Sequence, residues 1–125
     1  MMKSKEDNER RSDCPLSCSL DLVGDKWSLL IIRDMMLFGK TTYNEFLASK
    51  ENISTNILND RLVMLTSAGV ITFSGSAKRK KYSLTKLGHD LKPVIEAFAH
   101  FGMKNFKGSK KYMEGQMKDY KKRGA

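Results

Sequence analysis

Residues 54 to 84 constrain the fold more than any other stretch of this chain. Ser54-Thr55-Asn56 opens a helix with short polar side chains, Gly69 closes it, and two short β-prone runs follow, Val70 to Phe73 and Lys81 to Leu84. The loop between them, Ser74 to Lys81, carries Lys78, Arg79, Lys80 and Lys81 in succession. A helix able to lie in a groove beside a basic hairpin able to grip phosphates implies a winged helix-turn-helix, so the expected fold class is mostly α with a small β-hairpin wing.

The charge is placed to match. The net charge of +9 divides into an excess of zero over residues 1–13, three over 14–103 and six over 104–125, and without the four loop cations the middle section is slightly acidic. A nearly neutral body with one cationic loop and one cationic tail is arranged to meet a polyanion at particular places, and double-stranded DNA is the leading partner. No stretch approaches the length of a membrane span, and the polar N-terminus shows no signal peptide, so no membrane is expected as partner and the chain is expected in the cytoplasm. Two cysteines make no disulfide scaffold.

The 125 residues divide into a polar N-terminal arm (1–13), one domain for DNA binding and dimerisation (14–106), and a basic tail (107–125) that is expected to be mobile, with residual helix around Tyr112 to Tyr120. Within the domain, Pro15 opens a helix running to about Val23, and a second, largely buried helix spans Lys26 to about Leu37, with Trp27, Leu30, Ile31, Met35 and Phe38 at helical spacing. A third runs from about Thr42 to Ser49, and Ser54 caps the fourth, whose buried face is Leu58, Leu62 and Leu65. Thr85 caps a last long helix that Pro93 should kink or break. Its apolar surplus, above all Phe98 and Phe101, exceeds what a small domain can cover and points to a subunit interface.

Ser54, Thr55, Asn56, Asn59 and Arg61 lie largely off the buried stripe and form the candidate recognition surface. Asparagine pairs with adenine edges, Thr55 can meet a phosphate or a thymine methyl, and Arg61 can reach guanine or the backbone. Arg61 ranks below Asn56, because a structural ion pair with Asp60 or Asp34 would also satisfy it. Lys78, Arg79, Lys80 and Lys81 are the candidate wing contacts, adding affinity more than sequence choice. Two other classes compete with this reading: a winged-helix module that binds only protein, and a nonspecific nucleic-acid binder that works through its lysine tail.

Several blocks resemble the HxlR-type transcriptional regulators in order and spacing. They are Cys14-Pro15, Leu22 to Trp27, Leu29 to Arg33, Ile53 to Val70, and Tyr82 to Gly88. The resemblance implies a homodimer joined through its N- and C-terminal helices. It also implies a roughly palindromic operator and a response to a small molecule, electrophile or oxidant.

Cys14 matches the cysteine that several HxlR-type members use as a thiol sensor. Its own setting agrees, since a helix start with Arg10 and Arg11 nearby favours a thiolate, although Asp13 opposes it. Cys18, one turn on, is either a resolving thiol or buried core. No catalytic residue, cofactor or metal site is expected. Cys14 and Cys18 lack partners for a closed zinc site, and His89 and His100, which regular helix geometry would place near one face, are more simply solvated or interface residues.

Overall fold

The computed structural model describes residues 10–123, so the expected arm lies outside the described residues up to position 9. Helix α1 (Pro15–Val23) follows Cys14, whose extended backbone makes it the N-cap, with Pro15 in the first turn where it sacrifices no hydrogen bond. Asp25 then builds the start of α2 (Ser28–Met36). Its carboxylate accepts the Trp27 and Ser28 amides at 3.0 and 2.9 Å and the Ser28 hydroxyl at 2.6 Å, so the regular helix begins two residues later than Lys26.

Helix α3 (Tyr43–Leu47) opens on a reciprocal capping box between Thr42 and Glu45. A turn with Asn52 in the left-handed region (φ 57°) leads to α4 (Thr55–Ser67), where the Ser54 hydroxyl accepts the Ile57 amide at 3.2 Å. The end of α4 is a Schellman motif, with the Val70 amide donating to the Leu65 carbonyl at 3.0 Å and Gly69 to Thr66 at 3.1 Å. Val70 is thereby spent on closing the helix, and strand β1 starts one residue later than expected, at Ile71–Ser74.

Strand β2 (Lys81–Leu84) pairs antiparallel with β1, with Ile71 opposite Leu84 and Ser74 opposite Lys81. The last long helix is broken where Pro93 predicts. Helix α5 (Lys86–His89) is capped by Thr85, and α6 (Lys92–Asn105) restarts after Asp90 and Leu91 with Pro93 in its first turn. The break places His89 and His100 on different helices. Gly88 packs so closely beneath the wing that a Cβ would meet the Val70 carbonyl oxygen at 2.3 Å.

The core gathers Ile31, Ile32, Phe46, Leu58, Leu62, Leu65, Val70, Ile71, Tyr82 and Ile95, drawn from every element between α2 and α6 except α5. Full burial of side chains such as Leu58 and Leu65 contributes about 1.5–3 kcal/mol each relative to exposure, which fixes α4 against α2 and the wing. Cys18 does not join this core: it is half-buried, and its thiol donates to the Ser12 carbonyl at 3.4 Å.

The tail differs from expectation most. Residues Ser109–Lys122 form a fourteen-residue helix, α7, which contains and extends the residual helix expected around Tyr112 to Tyr120. The sequence there is charged, but Tyr112, Met113, Gln116 and Tyr120 recur at helical spacing and turn inward. Gly39 admits the Tyr120 ring so closely that a Cβ would fall 2.1 Å from it, and the Arg123 guanidinium donates to the Phe38 carbonyl at 2.7 Å.

Candidate nucleic-acid interface

The outer face of α4 presents Ser54, Thr55, Asn56 and Asn59, all exposed, at the end held by the Ser54 cap. The cap leaves early backbone amides of the helix facing outward, where a phosphate is a natural partner. Asn59 and the first turn of α3, Thr42 to Asn44, form one wall of a groove of about 750 Å³. The other wall is the wing from Ala77 to Tyr82, so the groove brings a candidate base-reading residue and all four wing cations to one surface.

The wing is braced from below. The Tyr82 amide donates to the Thr41 carbonyl at 2.8 Å, and the Tyr82 ring lies 6.0 Å from Phe46 and 5.7 Å from Phe73. Lys80 folds its ammonium over Phe73, 4.3 Å from the ring centroid, which holds the hairpin tip through a cation–π contact. Lys78, Arg79 and Lys81 are exposed and form no ion pair among the described residues.

Arg61 stands differently from the other candidate recognition residues. Its Nε donates to Asp25 Oδ1 at 2.9 Å and its Nη1 pairs with Asp60, so the guanidinium links α4 to the start of α2 instead of standing free for guanine. Asp34, the other carboxylate considered for it, is committed elsewhere. Arg33 joins Asp34 at 2.6 Å and Glu51 at 2.8 Å, and Lys40 lies 3.9 Å from Asp34.

Residue spacing does not reveal this buried network, and it matters because Glu51 sits in the turn just before α4. Hydrogen bonds from Arg33 hold the Glu51 carboxyl below the usual range, whereas burial pushes Asp34 up against the pull of Arg33 and Lys40. A charged pair inside the otherwise apolar run Leu29 to Met36 is the sequence signal that could have found it.

The cysteine region is open. Cys14 is exposed at the start of α1, and the two neighbouring arginines are engaged, Arg10 with Asp13 at 3.1 Å and Arg11 with Asp21 at 2.6 Å. Among the described residues no group of three or more His, Cys, Asp or Glu side chains converges on a metal position. No helix among them is long and apolar enough to cross a membrane. Leu16 and Leu20 on α1 and Phe98 and Phe101 on α6 are 51–67% exposed, leaving apolar surface on both helices expected at a subunit interface.

A capped polar helix, a hairpin of cations and the groove between them define a winged helix-turn-helix DNA-binding protein. The HxlR-like helix-turn-helix family model matches residues 22–110, and the chain belongs to that family of transcriptional regulators. It is 27% identical over 126 residues to the uncharacterised HTH-type transcriptional regulator YybR of Bacillus subtilis (strain 168), covering 98% of this chain and all of that one. Among solved structures it is similar to PA1607, assigned as a transcription factor, with 35% identity and a TM-score of 0.70 over 79% of this chain and 70% of that one. It is also similar to the redox regulator HypR in its oxidised form, with 27% identity and a TM-score of 0.64 over 74% of this chain and 97% of that one.

Proposed function

We propose that the protein acts in the cytoplasm as a homodimer on a roughly two-fold symmetric operator, reading it with Thr55, Asn56 and Asn59 and gripping its backbone with Ser54, Lys78, Arg79 and Lys81. The observation that carries this reading is the groove shared by Asn59 and the wing cations, which lets one half-site be read and held at once. Recognition helices of such a dimer enter successive major grooves about 34 Å apart. The exposed Leu16, Leu20, Phe98 and Phe101 supply apolar surface for the pairing.

Signal reception belongs to Cys14 in this reading. An exposed thiol at a helix N-terminus is accessible to electrophiles and oxidants. The likeness to a protein described as a redox regulator, known in oxidised and reduced forms, supports the same assignment. Cys18 is the secondary thiol, already engaged with the Ser12 carbonyl.

Selection from a random duplex library tests both parts, using reduced protein, quinone-treated protein and Cys14→Ser. The expected outcome is an enriched inverted repeat whose binding is lost on treatment only when Cys14 is present. A motif indifferent to treatment removes the thiol assignment. Strongly salt-sensitive binding with no motif replaces the regulator by a nonspecific nucleic-acid binder.

A further inference from the structure

The family match ends at residue 110, within the first turn of α7, so the described features of the winged helix leave this element without a role. Its inner side is explained by packing; its outer side is not. Lys111, Lys118 and Lys122 are exposed and spaced by seven and four residues, which aligns them on one helical face opposite Met113, Gln116 and Tyr120. Lys110 and Lys121 lie to one side of the row, and none of the five forms an ion pair among the described residues.

Helix stability does not account for the cations at the start of this helix. Lys110 and Lys111 occupy the first turn, where the helix dipole disfavours cations, and no acidic residue stands there. At the other end the dipole favours Lys121 and Lys122 in the last turn, and Glu114 precedes Lys118 by four residues, so only the first-turn cations oppose the helix. Lys110 and Lys111, kept where they weaken the element that bears them, and the unpaired row that continues from them fit a polyanionic partner.

The direction of the helix selects that partner. Arg123, at its C-terminal end, lies 3.9 Å from Glu45, whose carboxylate closes the capping box of α3. Thr42, Tyr43 and Asn44 beside that box line the groove opposite the wing. The C-terminal end of the basic row therefore lies near the candidate DNA groove, with a sign that continues the wing's.

We propose that α7 is a second DNA-contacting element whose Lys111, Lys118 and Lys122 lie along phosphates flanking the half-site read by α4 and the wing. The inference rests on the DNA-regulator reading and extends the footprint beyond the operator's base-read positions. It makes affinity depend on flanking length but not on flanking sequence.

The test compares the full chain with Lys111→Gln/Lys118→Gln/Lys122→Gln and with the corresponding triple arginine variant. Each is titrated against a selected duplex ending at the two half-sites and against the same duplex extended by about one helical turn on each side. The natural chain and the arginine variant should bind the extended duplex several-fold more tightly, and the glutamine variant should lose that advantage while retaining its affinity for the short duplex. On the extended duplex its salt slope should fall by about 0.9 for every phosphate no longer neutralised. Its melting temperature should be unchanged or slightly higher.

Equal affinities of the glutamine variant and the natural chain on the extended duplex overturn the proposal, as does an equal loss on both duplexes. A loss shared by the arginine variant also overturns it, since charge would then not be the cause. Failure of the natural chain to bind either duplex would instead reject the regulator reading on which the proposal rests.

Discussion

Arg61 and Asp25 tie α4 to the start of α2 through an Nε to Oδ1 hydrogen bond of 2.9 Å. The same carboxylate receives two backbone amides and the Ser28 hydroxyl, so one side chain both starts α2 and orients α4. Burial opposes its ionisation, but the bonds from Ser28, Arg61 and Trp27 prevail and hold its pKa below the ordinary value. Asp25→Ala should cost about 1–2 kcal/mol in urea denaturation at neutral pH, in line with removal of a helix cap. Because the folded pKa is depressed, the Asp25 contribution is complete above the unfolded value of about 4 and disappears as pH falls through the folded one. The stability difference between natural chain and variant should therefore shrink below about pH 4. A difference that persists unchanged in acid would refute the assignment.

Asn56 and Asn59 are exposed and make no structural side-chain bond among the described residues, so their removal should leave folding intact. Asn56→Ala and Asn59→Ala should each weaken binding to a selected operator by about 1–3 kcal/mol, the worth of a bidentate pairing with a base edge. Competition titrations at fixed salt against operator and scrambled duplex check this, because nonspecific affinity should hardly change. Arg61→Ala should behave otherwise, lowering the unfolding midpoint along with operator affinity.

The wing cations should act without regard to sequence. Lys78→Ala/Arg79→Ala is expected to weaken operator and scrambled duplex together and to reduce the salt slope by about 0.9 for each phosphate the wing ceases to neutralise. Binding measured across a salt series decides the matter, and an unchanged slope excludes the wing from the DNA interface. Lys80 is expected to matter partly through its packing on Phe73, so Lys80→Ala should also loosen the hairpin and increase its amide exchange.

Phe98 and Phe101 should govern association. Both rings are mostly exposed on α6, at 61% and 59%, and Phe101 also meets Phe106 edge to face at 6.4 Å. If the proposed dimer forms through this face, the natural chain should sediment as a dimer and Phe98→Asp as a monomer with an unchanged far-ultraviolet spectrum. Operator affinity should then fall steeply and nonspecific affinity only slightly. A dimer that survives this change would place the interface elsewhere.

What is legible in the sequence is local. The Ser54 and Thr85 caps, the Gly69 helix end, the hairpin and the Pro93 break are each dictated by residues within a few positions of one another, and the structure contains all of them. Expectation and structure part where distant segments meet. Arg61 finds Asp25 across thirty-six positions, and Arg33 finds Glu51 across eighteen, so neither partner can be chosen from spacing alone. The full length of α7, beyond the helix expected at Tyr112 to Tyr120, escapes the sequence for the same reason: its docking uses Tyr120 at Gly39 and Arg123 at Phe38, pairings that charge-rich composition conceals.

The seam under the wing has a mechanical meaning. Gly88 lies against the Val70 carbonyl, and the Thr85 amide and hydroxyl both bond that carbonyl, so α5 is riveted to the foot of the hairpin, while the joint at Asp90 and Leu91 separates it from α6. The chain thus has a close-packed seam on one side of α5 and, on the other, a two-residue joint bridged by the Leu91 amide on the Gly88 carbonyl at 3.1 Å. The wing and α6 are thus joined through a single turn of helix, and a bulkier residue at position 88, pressed against the Val70 carbonyl and the Leu84 side chain, would lift that turn off the hairpin it supports.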